Sequence, residues 1–169
     1  MDRKSQIDAF CRYTSVSRET IIGLNTYENM LVDANKSLNL IGKSTISNIW
    51  SRHFLDSYQI IDLIEENDKM LMDLGSGAGF PGIVLGLAMK EKKIPIKIKL
   101  LEKSKKKTAF LNQAINKLEI NAEVINKDAM QTNVILEENV FIARAFKPLE
   151  IILALIHNNA KNWKKILIF

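Results

Sequence analysis

The sequence predicts an α/β fold in which a mostly parallel, doubly wound sheet follows a small helical segment. Three features support this: a helical pattern up to about residue 67, alternating short apolar runs and helical stretches after it, and a glycine-rich loop behind the first apolar run. Strands that alternate with helices form parallel sheets covered on both faces, with right-handed crossovers. We therefore expect an N-terminal helical appendage over residues 1–67 and one α/β domain over residues 68–169.

The N-terminal segment shows helical periodicity. Ser17 can cap a helix. The apolar positions of this helix recur at three- and four-residue spacing, at Leu24, Tyr27, Leu31, Ala34 and Leu38. A shorter helix is expected from Ser44 or Thr45, and another runs through Phe54 to a stop at Asn67.

The second part of the chain alternates strands and helices. The predicted strands are residues 70–74, 96–101, 122–126, 140–143 and 165–169. The predicted helices are residues 80–90, 105–118, 129–137 and 148–163, and Ser104 and Pro148 are suitable starts. Ligands of such sheets bind at the carboxyl ends of the strands. Function is therefore sought in the loops after Leu74, Leu101, Asn126 and Ala143.

Bulk composition restricts the classes of protein. A chain of 169 residues that is 47% hydrophobic can bury one core, and its single cysteine, Cys11, excludes an internal disulfide. Only His53 and His157 accompany that cysteine, so no metal site is expected. No apolar stretch approaches the roughly 20 residues that span a bilayer, and the N-terminus lacks a signal-peptide core. We expect a cytoplasmic monomer that binds neither a metal nor a membrane.

The segment 73–82, DLGSGAGFPG, is the strongest local signal. It links the first predicted strand to the first helix of the sheet. Gly75, Gly77 and Gly79 allow positive φ and leave the N–H groups of the helix start open to a ligand. Glu102 ends the next strand, where a carboxylate can accept both hydroxyls of a ribose. The arrangement predicts a site for an adenosine-containing cofactor.

Two cofactor classes fit such a loop. Gly77, Gly79 and Gly82 also match the dinucleotide fingerprint, but that register buries Asp73 and Gly75 inside a strand. In the other register Asp73 ends the strand, orders the loop and lies near the cationic end of S-adenosylmethionine, which has no pyrophosphate. We therefore favour an S-adenosylmethionine-dependent methyltransferase, with a nicotinamide-dependent oxidoreductase as the alternative.

Basic residues accompany the loop. Arg144 follows the apolar run VFIA at the ligand-binding end of a strand, where a cation needs an anionic or π partner. The alternative is a surface ion pair. From Lys90 to Lys107, nine lysines accompany only two glutamates, in a chain of net charge +5. Such a cluster can neutralise phosphates or simply form a solvated face.

Taken together, the motifs resemble a known family. Asn39-Leu40, RHFLDS (52–57), DLGSGAGFPG (73–82), LLEKSKKKTAFL (100–111) and ARAFKPL (143–149) are similar to motifs of the bacterial glucose-inhibited division protein B family. The resemblance extends from about Tyr27 to Phe169. It implies a Rossmann-like class I methyltransferase that uses S-adenosylmethionine to methylate guanine N7 in 16S ribosomal RNA of the small subunit.

The resemblance also implies site roles. Its cofactor-binding candidates are Gly75, Phe80, Glu102, Ala129, Met130 and Arg144, to which the loop adds Asp73, Gly77 and Gly79. Glu102 would hold the ribose, Ala129 and Met130 would flank the adenine, and Arg144, the catalytic candidate, would lie beside the methionine end or the incoming base. Family members usually have Gly-Arg-Ala-Glu where this chain has KDAM at 127–130, so the usual glutamate is absent. Asp128 or the backbone would then make the contact to the adenine that the glutamate side chain makes in the family.

The resemblance implies one further departure. Phe169 falls within the fifth predicted strand, before the family's last two strands. The C-terminal strands are therefore expected to be missing and the sheet to carry an exposed edge. A truncated, inactive module that binds cofactor or RNA is the second alternative.

Overall fold

The N-terminal part of the molecule is helical. The computed structural model describes residues 2–65, 67–131 and 135–169. Helix α1 (Arg3–Thr14) precedes helix α2 (Arg18–Leu38), which Ser17 caps as predicted by accepting the Thr20 N–H at 3.2 Å. Helix α1 has no counterpart in the predictions. It buries only Gln6 and Phe10, so its sequence carries little apolar periodicity.

The segment after α2 winds irregularly. It contains a 3-10 helix (Lys43–Asn48), a π-helical turn (Trp50–Leu55), the short helix α3 (Asp56–Tyr58) and a 3-10 turn (Ile61–Leu63). The predicted continuous helix through Phe54 to Asn67 is therefore wrong. Trp50 packs edge-on against Phe10 and Phe54, with centroids 5.4 and 5.0 Å apart. We attribute the irregular winding to the burial of these large rings, which outweighs local helix propensity.

The sheet confirms the predicted fold class. Its five strands are β1 (Met70–Leu74), β2 (Lys97–Leu101), β3 (Ala122–Ile125), β4 (Val140–Ala143) and β5 (Lys165–Ile168). They pair in the order β3-β2-β1-β4-β5, and every pairing is parallel. Helices α4 (Gly82–Lys92), α5 (Lys105–Leu118) and α6 (Leu149–Asn159) alternate with the strands. In this part of the chain β3 and β5 form the two edges of the sheet.

The predicted helix over residues 129–137 is not observed. Residues 132–134 lie outside the described residues, residues 129–131 form a turn and a bend, and Leu136 pairs with Ala160. Leu136 is fully buried, and its backbone exchanges hydrogen bonds with Asn159 and Lys161. The same pairing ends α6 at Asn159, four residues before the predicted end, because Ala160 turns to extended backbone.

Both faces of the sheet are covered. On one face Leu71, Ile98 and Leu100 pack with α2, α4, α5 and the segment 43–63. On the other face Leu74 and Phe141 pack with α6. The N-terminal helices α1 and α2 contribute to the same hydrophobic core as the first of these two sheet faces. The division of the chain into two parts after residue 67 stays a prediction. None of the described helices combines the length and apolar character needed to cross a bilayer.

Candidate functional site

The loop after β1 is the centre of the site. Strand β1 ends at Leu74, and the Gly75 and Ser76 N–H groups turn back to the Leu101 carbonyl, at 2.9 and 3.1 Å. This confirms that Gly75 begins the turn, but the prediction that Asp73 ends the strand is wrong, because β1 continues to Leu74 and Asp73 is buried within it. The register required for a dinucleotide fingerprint, with the strand continuing to Ser76, is not formed.

Glycine is required in this loop for two different reasons. Gly75, Gly77 and Gly79 have φ of 70°, 56° and 97°. A Cβ on Gly75 would lie 2.2 Å from the Phe146 ring, and one on Gly79 would lie 2.5 Å from Ile83, so packing excludes any side chain at both positions. A Cβ on Gly77 would meet only the Gly75 carbonyl, at 3.7 Å. Gly77 is therefore selected by its backbone conformation, and its open side leaves room for a ligand.

Glu102 fastens this loop to the neighbouring strand. One oxygen, Oε2, accepts the Gly77 N–H at 3.0 Å, and Oε1 accepts the Ser104 N–H at 2.8 Å. Asn126 holds the backbone at Glu102 and Lys103, because its side-chain amide donates to both of their carbonyls. A carboxylate offers about four acceptor positions, so about two remain for hydroxyl donors of a ligand.

Asp73 lies beneath the loop. It is fully buried, and its Oδ2 accepts the Gly82 N–H at 3.0 Å, which fixes the start of α4. Within the described residues Oδ1 has no hydrogen-bond partner. Burial raises the pKa of Asp73 to about 7, although the Gly82 hydrogen bond opposes this. Asp73 thus orders the loop from below and does not line the cavity described next.

A cavity of about 540 Å³ opens at the carboxyl ends of the strands. Six of the candidate residues line it: Gly75, Gly77, Phe80, Glu102, Ala129 and Arg144. Asp73, Gly79 and Met130 do not. Gly79 is buried against Ile83 and Leu111, whereas Met130 is 45% exposed. The family resemblance implies that Met130 flanks the adenine, but in the structure its backbone N–H donates to Asp128 Oδ1 at 3.1 Å.

Arg144 is held from several sides. Its Nη2 donates to the Arg52 carbonyl at 2.6 Å and to Asp56 Oδ2 at 3.3 Å. Its Nη1 contacts His53 Nδ1 at 3.1 Å, and its guanidinium lies 5.8 Å from the centroid of the Phe80 ring. Both π and anionic partners are thus present, and burial lowers the pKa of Arg144. His53 and Asp56 therefore both contact Arg144.

Sequence reasoning missed several residues of the site. The Tyr27 hydroxyl donates to the Ala78 carbonyl at 2.5 Å, so α2 supports the glycine loop directly. Tyr27 was interpreted only as an apolar helix position, although a hydroxyl on an apolar face usually has a buried acceptor. Leu40, Ile41 and Gly42 form one wall of the cavity, and Phe146 forms another. Leu40 and Phe146 fall in motifs that resemble the family, but no local signal assigns any of these four residues to a cavity, because the fold brings them together from distant parts of the chain.

Asp73 leads to a prediction about stability. Its pKa is 3.8 when unfolded and about 7 when folded, so between these values the folded state holds a proton that the unfolded state releases. The free energy of unfolding therefore falls as pH rises through this window, by an amount on the order of a few kcal/mol. Asp73→Asn removes this dependence but keeps an acceptor for Gly82.

We expect the melting temperature of Asp73→Asn, relative to the parent chain, to rise from pH 5 to pH 7.5. Thermal denaturation of both chains at pH 5, 6 and 7.5 gives the difference in melting temperature at each pH. Other titratable groups shift the melting temperatures of both chains equally, so their contributions cancel in this difference. Parallel pH profiles for the two chains would show that Asp73 is already ionised in the folded state.

The fold and the site define a class of protein. A parallel sheet with a glycine loop after β1 and a buried acid at the tip of β2 is typical of Rossmann-like folds that bind adenosine-containing cofactors, among them the S-adenosylmethionine-dependent methyltransferases. The family profile described as rRNA small subunit methyltransferase G (GidB) matches residues 21–169. The chain belongs to this family, which confirms the resemblance found in its motifs.

Individual relatives agree with this assignment. The chain is 38% identical over 157 residues to ribosomal RNA small subunit methyltransferase G of Pelagibacter ubique, covering 92% of this chain and 73% of the relative. It is 40% identical over 137 residues to the protein of that name from Paramagnetospirillum magneticum, covering 81% and 64%. Coclaurine N-methyltransferase bound to N-methylheliamine and SAH shares the fold, with a TM-score of 0.52, 15% identity, and coverage of 95% and 56%.

Proposed function

We propose that this chain transfers the methyl group of S-adenosylmethionine to N7 of a guanine in 16S ribosomal RNA of the small subunit, as a cytoplasmic monomer. The observation that carries the proposal is the Glu102 carboxylate, which bridges the glycine loop and the start of α5 at the wall of the cavity. The names of the relatives, which are ribosomal RNA small subunit methyltransferases, support small-subunit ribosomal RNA as the substrate, whereas guanine N7 comes from the family resemblance alone.

The described residues fit the cofactor. Glu102 retains acceptor positions for ribose hydroxyls, and the open side of Gly77 admits a ligand against the backbone. Ala129 is 4% exposed and adds a small apolar surface to the cavity, beside Asp128, where the adenine would lie. In this proposal Gly75 and Phe80 also contact the cofactor, whereas Asp73 and Gly79 shape the loop from below. Met130 does not line the cavity, so the proposal assigns the adenine contacts to Asp128 and Ala129.

The chemistry requires positioning more than proton transfer. Bound S-adenosylmethionine supplies a methyl group on a sulfonium, which is an excellent leaving group. Guanine N7 is a lone pair without a proton, so no general base is needed, and the protein must hold N7 about 3 Å from the methyl carbon. Arg144 faces the cavity and is held by three hydrogen bonds, which suits it to orient the base or the methionine end. Within the described residues no group of three or more His, Cys, Asp or Glu is placed to hold a metal.

Lysines surround the mouth of the cavity. Four of them line it and come from different parts of the chain: Lys103, Lys107, Lys127 and Lys147. They follow β2, β3 and β4, so the carboxyl ends of three parallel strands bring them together. Lys105 and Lys106 are exposed on the first turn of α5, next to this rim. We propose that the rim and α5 lysines bind RNA phosphates and thereby place the target base at the cavity.

The lysines give a prediction with a matched control. Changing Lys105, Lys106 and Lys107 to glutamine is expected to make the plot of log binding constant against log salt concentration less steep. The decrease in slope should correspond to the loss of up to about three phosphate contacts. The control changes Lys90, Lys92 and Lys93, which lie at the far end of α4 from the glycine loop. Binding constants measured across salt concentrations should show a shallower slope for the first triple variant only. Equal slopes in both variants would make the α5 lysines solvated bystanders.

The proposed activity is tested by transfer of labelled methyl to small-subunit RNA, followed by mapping of the modified base. We expect incorporation at one guanine and cleavage at that site by chemistry selective for N7-methylguanine. Incorporation at another atom would disprove the N7 assignment. Binding of cofactor and RNA without transfer would support the inactive binding module instead.

A further inference from the structure

A hydrogen-bonded chain runs from Arg144 away from the sheet. The Arg144 Nη1 group contacts His53 Nδ1 at 3.1 Å, and His53 Nε2 contacts Thr45 Oγ1 at 2.9 Å. The Thr45 hydroxyl in turn donates to the Gly42 carbonyl at 2.8 Å. The chain therefore connects the end of β4 to the wall of the cavity formed by residues 40–42.

Donor and acceptor chemistry fixes the direction of this chain. A guanidinium can only donate, so His53 Nδ1 must accept from Arg144. The proton of a neutral imidazole then resides on Nε2 and is donated to Thr45, which uses its own proton for Gly42. Burial and the charges of Arg144 and Arg52 lower the pKa of His53 to about 4, so the ring is neutral at pH 7. Asp56, the nearby acid, is engaged with Arg144.

The ring of His53 is also fixed in its plane. It stacks on Phe80 with centroids 4.8 Å apart and an interplanar angle of 14°. Phe80 is 7% exposed and packs against Tyr27 and Phe54, so the surface beneath His53 belongs to the main core. A ring held in this way presents its Nδ1 lone pair in one direction, towards the guanidinium.

We propose that His53 is a positioning residue for methyl transfer, which aligns the Arg144 guanidinium in the cavity and couples it through Thr45 to the wall at residues 40–42. The inference rests on the proposed function and adds a residue to it. Three of the five guanidinium N–H groups are engaged by His53, Arg52 and Asp56. Within the described residues the other two have no partner and are available to a ligand. His53 determines where they point and takes no proton itself.

Variants separate alignment from simple packing. His53→Phe keeps a ring on Phe80 but removes the acceptor, and His53→Asn restores an acceptor near the Nδ1 position without the stack. We expect His53→Phe to lower kcat about tenfold, the scale of one lost hydrogen bond to a charged group, with S-adenosylmethionine affinity changed less than about threefold. His53→Asn should recover most of kcat. His157→Phe, on the exposed side of α6, is the matched control and should change nothing.

A double-mutant cycle gives the decisive comparison. If His53 acts through Arg144, His53→Phe should have no further effect on methyl transfer in the Arg144→Ala background. Full kcat in the single variant, or additive losses in the double variant, would overturn the proposal.

A spectroscopic measurement keeps the inference separate from the proposed activity. Absence of methyl transfer in the parent chain would refute the proposed function, whereas the tautomer of His53 can still be read by 15N NMR. The proposal requires the Nε2–H tautomer at pH 7 in the parent chain. An Nδ1–H tautomer or a cationic ring would overturn it whether or not the chain is active.

Discussion

Replacing Glu102 by alanine is expected to weaken S-adenosylmethionine binding about 100-fold, close to 3 kcal/mol. The variant loses the acceptor for the Gly77 and Ser104 N–H groups and also the proposed contacts to the ribose hydroxyls. Hydrogen bonds to a charged acceptor contribute about 1.5–3 kcal/mol each, so the loss of two such contacts is enough to account for the size of the effect.

Calorimetric titration measures this affinity, with Glu123→Ala as the matched control. Glu123 lies on β3 and forms an exposed ion pair with Lys97 on the neighbouring strand, so its removal should leave cofactor affinity unchanged. Unchanged affinity in Glu102→Ala would remove the ribose assignment. Equal losses in both variants would indicate damage to the sheet and not to the site.

Replacing Arg144 by alanine is expected to lower turnover about 100-fold while shifting the melting temperature by less than about 5 °C. The guanidinium faces the cavity, and the substitution removes the group that His53, Asp56 and the Arg52 carbonyl all contact. The stability effect is small because these three partners are only partly buried or exposed and can bind water instead.

Two further variants sharpen this prediction. Arg144→Lys keeps the charge but loses the planar fork, so turnover should stay low. Arg52→Ala leaves the backbone carbonyl that contacts Arg144 and should retain most activity. A large loss of melting temperature with normal specific activity in Arg144→Ala would show that Arg144 serves the fold alone.

The sheet was predictable from local sequence. Strands β1 and β4 match their predicted limits to the residue, and α5 matches from Lys105 to Leu118. Buried parallel strands are short apolar runs between polar turns, and Ser104 provides an N-cap for α5, so short-range signals define these elements. Glu102 was placed at the cavity for the same reason, since it directly follows the end of β2.

Other features depend on contacts between distant residues. His53 and Arg144 are 91 positions apart, and no local pattern indicates that the π-helical turn at 50–55 brings them together. The segment 129–137 has helical spacing, but Leu136 obtains a partner in Ala160. Met130 was placed by family resemblance alone, and its side chain is exposed in the fold. Contacts between distant residues decided the first two of these outcomes.

The central claim is that the glycine loop and Glu102 form a cradle for S-adenosylmethionine. The most direct test is calorimetric titration of the parent chain with S-adenosylmethionine, and separately with NAD and NADP. We expect one site that binds S-adenosylmethionine and no heat of binding from either nicotinamide cofactor. Binding of NAD or NADP, with none of S-adenosylmethionine, would contradict the account.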